Sequence, residues 1–204
     1  GAAGRAVAFG TTAATSFTGD SDTQITATAP AGIDTVSVRV TTAAGMSDDT
    51  EADNYTYYSL MVVGGTETDY YSLSALKALT ATSGYGGTKN SVGTIKGPFL
   101  YNGVDVLGLL DAAGGLPTGY SLKATDVSGG YSSTFTYDQV KKAHFTLYDK
   151  TTGDVITTIT GAPALILAYE VGGSALAPAD GPLRTAIVSP ASEQVSDSKY
   201  WVKQ

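Results

Sequence analysis

The stretch Gln24-Ile25-Thr26-Ala27-Thr28-Ala29-Pro30-Ala31-Gly32, continued by Val36-Ser37-Val38-Arg39-Val40, decides how the chain begins to fold. Ile25, Ala27 and Ala29 alternate with polar residues up to Pro30, and Val36, Val38 and Val40 alternate with polar residues after the Ala31-Gly32 turn. A period of two puts the apolar side chains on one face, so both segments read as half-buried antiparallel strands. A third strand ends the region at Tyr55–Tyr58, after the loop Gly45–Asp53, and no helix is needed. Short strands set apart by turn residues have the spacing of a β-sandwich.

Composition shifts just beyond this region. Residues 1–58 hold two basic side chains, Arg5 and Arg39, against seven acidic ones, whereas residues 59–204 hold ten basic and twelve acidic. Two domains are therefore expected, 1–58 and 59–204. The second mixes its elements. Leu60–Val63 reads as a strand closed by Gly64-Gly65, Ser72 caps a short helix carrying Leu73, Leu76 and Leu79, and Val106, Leu107 and Leu110 mark another that Gly114-Gly115 ends. Strand pairs follow at Ser121–Thr125 with Ser132–Tyr137, and at His144–Tyr148 with Val155–Ile159, with a helix at Asp138–Lys142 between them. Ala164–Val171, bounded by Pro163 and Gly172-Gly173, is too short for a buried helix and reads as a central strand. Leu183–Val188 and Lys199–Val202 are the last strands expected. The fold class is mainly β, with an α+β mixed-sheet second domain.

Composition also removes whole classes of function. With 204 residues and 42% apolar content the chain can bury a core, while charged residues make up only 15%, as on secreted proteins. There is no cysteine, which excludes disulfides, thiol nucleophiles and thiolate-bound metals. The single histidine, His144, excludes multi-histidine metal sites. A net charge of −7 argues against nucleic acid as a partner, and no apolar run approaches the eighteen or so residues of a membrane-spanning helix. The chain starts at Gly1 without a signal-peptide pattern, so a mature product or a piece of a longer protein is expected.

The first domain resembles an IPT/TIG module, an immunoglobulin-like fold. The resemblance lies in Val7-Ala8-Phe9-Gly10, Thr12–Phe17, Ser21–Ala27, Pro30-Ala31-Gly32, Val36–Val40 and the closing Asn54-Tyr55-Thr56-Tyr57. The family carries two further N-terminal strands, so the resemblance implies a partial sandwich. Its exposed edge and apolar face would favour self-association or a protein partner.

Residues 60–204 resemble the molybdopterin-binding domain of the sulfite oxidase type. The matching segments are Tyr71–Leu79, Tyr101-Asn102-Gly103-Val104, Leu107–Gly114, Ser132–Tyr137, Leu167-Ala168-Tyr169-Glu170, Gly181-Pro182-Leu183-Arg184 and Tyr200-Trp201-Val202-Lys203. In enzymatic relatives this fold holds a molybdenum pterin through one cysteine in the loop after the first helix, and oxidises or reduces an oxyanion or sulfoxide. The corresponding region here, Thr80–Asn90, offers Ser83, Tyr85 and Thr88 but no sulfur, and Ser83 or Ser91 would be a harder ligand. Of the late basic cluster that holds the pterin phosphate only Arg184 is clearly present, and Asp197 stands near where a lysine is usual.

Arg184 is a candidate anion ligand, or else the partner of Glu170 or Asp180 in an ion pair. Ser83-Gly84-Tyr85-Gly86-Gly87-Thr88-Lys89 has the glycine density of a phosphate loop without its spacing and reads as a mobile loop, which the resemblance to the molybdopterin-binding domain would set beside a small-ligand pocket with Arg184. His144 lies at a strand start without a nucleophile elbow to serve. Asp48, Asp49, Glu51 and Asp53 offer hard oxygens for calcium, or form a solvated loop. Asn54-Tyr55-Thr56 fits the glycosylation pattern within a strand, and thirteen tyrosines with Trp201 suggest a sugar-stacking surface or simply well-filled sheets. The expectation is a secreted or cell-surface module without catalysis or cofactor, acting in binding, adhesion or scaffolding. Its alternatives are a molybdopterin oxidoreductase with a non-cysteine ligand and a carbohydrate-binding protein.

Overall fold

The computed structural model describes residues 5–126 and 128–203, and its strands fall into two units that divide between Tyr58 and Ser59. In the first unit, β1 (Ala6–Phe9) turns through Gly10, whose φ of +58° suits glycine, into the short β2 (Thr12–Ala13). β3 (Ser16–Gly19) and β4 (Ile25–Thr28) form a separate hairpin. β5 (Asp34–Thr42) pairs antiparallel with β1, with β6 (Gly45–Met46) and, after the 3-10 turn Glu51–Asp53, with β7 (Asn54–Tyr57). The period-two segments are thus antiparallel strands, but not each other's partners. Gly32 lies against the Tyr57 ring, where a Cβ would stand 2.5 Å from ring carbon, so the Ala31-Gly32 segment packs on β7. Val7 and Phe9 are the buried apolar side chains among the described residues of this unit, and Phe9 meets Tyr55 edge-on at 5.2 Å between ring centres.

The second unit opens with the hairpin of β8 (Leu60–Val63) and β9 (Thr68–Tyr71). The Ser72 hydroxyl accepts the Ala75 N–H and starts α1 (Leu73–Ala78). β10 (Ala81–Lys89) and β11 (Ile95–Asp105) follow, then α2 (Val106–Ala112), capped by the Asp105 carboxylate. β12 (Leu122–Thr125) and β13 (Ser132–Phe135) make a second hairpin, and a Thr136–Gln139 capping box starts α3 (Tyr137–Lys142). The chain ends with β14 (Leu147–Asp149), β15 (Ala164–Val171), β16 (Ser174–Ala175), β17 (Arg184–Ser189) and β18 (Gln194–Asp197).

β10, β11, β15 and β17 pair antiparallel in succession, and β17 returns to β10 through Tyr85 opposite Ser189 and Gly86 opposite Val188. The result is a small four-stranded barrel. A ring of so few strands has a narrow bore, so inward positions demand small side chains. Gly84, Gly86, Gly103, Ala168 and Ala186 meet that demand beside Ile166, Val188, Tyr101 and Trp201. A Cβ on Gly103 would stand 2.3 Å from the Leu167 carbonyl oxygen, and one on Gly86 would stand 3.0 Å from the Ile187 carbonyl oxygen and from Trp201. A second cluster, centred on Leu76, Leu109, Leu110, Phe135, Phe145 and Leu183, packs the helices onto Val104, Leu165, Leu167 and Ile187.

Several expectations need correction here. Ser83–Lys89 is not a mobile loop but most of β10, because its glycines admit neighbouring backbone rather than freeing their own. Val155–Ile159 forms no strand. Val155 makes a single bridge to Tyr148, and Val155 and Ile159 are exposed, so β14 instead pairs with β18, whose Val195 and Ser196 are buried. Lys199–Val202 begins as a 3-10 turn, Ser198–Tyr200, because the Asp197 carboxylate accepts the Lys199 N–H and caps it. His144 is exposed beyond the left-handed Ala143 that ends α3, not at a strand start. Overall the fold is mainly β with several sheets, as expected at that level.

Candidate functional site

The residues singled out from sequence are carried by different faces of the second unit. Side chains alternate along a strand, and with Gly84 and Gly86 facing inward, Ser83 and Tyr85 face outward. The Ser83 hydroxyl donates to Asn102 Oδ1 at 2.9 Å, and Glu170 completes a surface chain with Asn102 at 3.5 Å and Lys77 at 3.3 Å. Tyr85 is half-exposed beside Leu100 and Ser189 in the ladder. Thr88, beyond the irregularity at Gly87, sits opposite Ser196.

Arg184 belongs to a second cluster. Its guanidinium donates to Asp180 at 2.9 Å and lies 5.0 Å from the Trp201 ring centre, while its buried Nε has no hydrogen-bond partner. Of the two carboxylates expected to hold it, Asp180 does so and Glu170 takes Lys77 instead. Burial pushes the pKa of the neighbouring Tyr101 hydroxyl up, with the Arg184 charge working in the opposite direction. Most of the other interior polar groups bond inward, although Gln194 Oε1 has no hydrogen-bond partner. Trp201 Nε1 donates to Ser196 Oγ at 2.9 Å, Ser196 Oγ to the Gly87 carbonyl at 3.3 Å, and Thr185 Oγ1 to the Tyr200 carbonyl at 2.6 Å. Gln194 Nε2 donates to the Thr160 carbonyl at 2.9 Å and to Ser189 Oγ at 3.2 Å.

Lys89 anchors a third cluster at the end of β10. Its Nζ donates to the Gly153 carbonyl at 2.6 Å and stands 4.3 Å from the Tyr148 ring centre. Next to it Lys199 pairs with Asp197 at 3.4 Å. Burial lowers the Lys199 pKa, but the Tyr200 and Asp197 side chains outweigh that and leave it raised. Together with Asn90, Ser91 and Ser198 these residues line an open polar cleft of about 470 Å3. Sequence reasoning found Lys89 but not the cleft, because β18 carries one apolar residue, Val195, between polar neighbours and gives no periodic signal. A separate, mostly apolar hollow of about 250 Å3 lies between β8, β12 and α2, lined by Leu60, Val62, Leu109, Leu110, Leu122 and Ala124.

The remaining candidates are placed elsewhere. Asp49 pairs with Arg39 at 3.2 Å, and Asp53 accepts the Thr50 hydroxyl at 2.8 Å. Among the described residues no group of three or more His, Asp or Glu side chains converges as metal ligands would. Asn54 is in β7 opposite Ser37. No described helix is long and apolar enough to cross a membrane. Compared with known protein families, characterised proteins and solved structures, the chain matches none.

Proposed function

We propose that the chain is a non-catalytic binding module of a secreted or cell-surface protein, built from a partial IPT/TIG-like sandwich and a domain of the sulfite oxidase type that has given up its cofactor. The observation that carries this reading is the commitment of the interior polar groups to the fold. Buried Thr185, Ser189, Gln194 and Ser196 bond to backbone or to one another, and Arg184 is held by Asp180 beneath Trp201. A nucleophile or an acid–base pair needs a reacting group within reach of both substrate and a partner of tuned pKa. Most of these groups are instead arranged to satisfy one another, with Arg184 Nε and Gln194 Oε1 left without a hydrogen-bond partner.

A molybdenum pterin does not fit the residues present. It calls for a soft sulfur ligand and for several cations around its phosphate. The chain has no cysteine, the Ser83 hydroxyl is bonded to Asn102, and Ser83, Lys89 and Arg184 lie in three separate clusters. The inward face of the barrel strands is filled by Tyr101, Ile166, Val188 and Trp201. Carbohydrate stacking gains no support from the single tryptophan, which is interior. The test is the molybdenum content of protein purified from a host that makes the cofactor. Trace metal is expected, and one molybdenum per chain would overturn the reading.

A further inference from the structure

Among the described ladders one is parallel, that of β10 and β18, with Thr88 opposite Ser196 and Lys89 opposite Asp197. Parallel strands leave a sheet at the same end, so the residues that follow them emerge side by side. Here that brings Lys89-Asn90-Ser91 beside Asp197-Ser198-Lys199, and the antiparallel neighbour β14 adds Tyr148. The cleft they line, about 470 Å3, falls in the size range of small-ligand sites.

Its chemistry departs from that of the chain as a whole. The net charge is −7, yet two lysines, Lys89 and Lys199, line the cleft against the single carboxylate of Asp197. An ammonium carries three donors; the Gly153 carbonyl takes one from Lys89, while Asp197 and the Tyr200 hydroxyl take up to two from Lys199. Donors therefore remain on both. Asn90 Oδ1 accepts the Val92 and Thr94 N–H groups, which fixes the side chain and leaves its amide nitrogen to donate. Ser91 and Ser198 add hydroxyls. Lys89 covers a face of the Tyr148 ring, so recognition here rests on charge and hydrogen bonds rather than on ring stacking.

We propose that this cleft binds a sugar acid, its carboxylate drawn by Lys89 and Lys199 and its hydroxyls met by Asn90, Ser91 and Ser198. The proposal rests on reading the second unit as a binding module, and it names the class of ligand.

The test is an NMR titration of the whole chain with sodium D-glucuronate at constant ionic strength, run beside D-glucose and inorganic phosphate. Glucuronate is expected to shift the amide signals of residues 89–91 and 197–199 and to saturate, glucose to give no saturating shift, and phosphate to bind more weakly. Lys199→Gln changes a largely exposed side chain and should weaken glucuronate about three- to tenfold. Asp197→Asn keeps an oxygen to cap the Lys199 N–H while removing the competing charge, and should leave binding equal or tighter. A response to glucose equal to that to glucuronate, phosphate binding as tight as glucuronate, or Lys199→Gln without effect would overturn the proposal. A flat titration on molybdenum-free protein overturns the ligand class alone, whereas stoichiometric molybdenum overturns the reading beneath it.

Discussion

The two units reach a β fold by opposite routes. The first spreads 58 residues over short strands and buries Val7 and Phe9, with a chain of edge-on aromatic contacts from Phe9 through Tyr55 to Tyr57 supplementing them. The second closes four strands on themselves and packs helices around the ring, burying side chains on both faces of β15. Buried apolar area contributes roughly 25 cal/mol per Å2, so stability follows how much each unit removes from water. Small units with thin cores are marginal alone. Strand count is thus a poor guide to stability, and the number of residues sealed from water is a better one.

The comparison is broken most readily at Phe135, fully buried between Phe145 and Tyr200. Phe135→Ala should lower the stability of the second unit by about 3–5 kcal/mol, read by the fluorescence of the single tryptophan, Trp201, in a denaturant titration. Signals from residues 5–58 should not move, and a joint shift would mean that the units unfold as one. Gly103→Ala tests the narrow bore. It places a Cβ against the Leu167 backbone and should cost about 1–3 kcal/mol by the same readout, whereas an ordinary surface glycine would cost far less. In the first unit, Tyr55→Ala removes both edge-on contacts and should cost about 0.5–1.5 kcal/mol beyond the area lost. The loss should appear in first-unit amide signals alone.

The smallest expected effect is an acid limb in the second unit. Backbone N–H groups of Thr152 and Thr151 hold the Asp149 carboxyl below its usual range, and a hydrogen bond from Lys142 does the same for Asp138. A carboxylate depressed in the folded state stabilises it above the unfolded pKa, and that contribution is lost as pH falls through the folded pKa. Stability should therefore decline below about pH 4, and Asp149→Asn should flatten the decline in a series of melts. An unchanged acid slope in that variant would remove Asp149 from the account.

Much of this architecture was legible in the residues, for identifiable reasons. Ala164–Val171 stood out because a strand buried on both faces is apolar throughout and Pro163 and Gly172 mark its ends. The first helix start was legible because Ser72 is a capping side chain, and the Ser132–Phe135 hairpin because Gly129-Gly130 precedes it, whereas Thr136, which caps the helix Tyr137–Lys142, falls within the strand expected over Ser132–Tyr137. The barrel was not. β10 and β11 carry Gly84, Gly86, Gly87, Gly97, Pro98 and Gly103, which locally signal turns, and it is the approach of Ser189, Ile187 and Leu167 backbone that makes glycine the residue that fits at Gly84, Gly86 and Gly103. The polar cleft was hidden for a related reason. Lys89 and Lys199 are brought together by a parallel pairing of strands far apart in sequence, and nothing near either residue announces the other.

The sealed interior of the second unit, on which the non-catalytic reading depends, is tested most directly by hydrogen exchange at the Trp201 indole. Its Nε1–H donates to Ser196 inside the barrel cluster, and the side chain is 6% exposed. The expected result is exchange as slow as that of the β15 backbone amides, limited by global unfolding of the unit. Exchange orders of magnitude faster than those amides would mean that solvent enters the barrel, and would contradict the account.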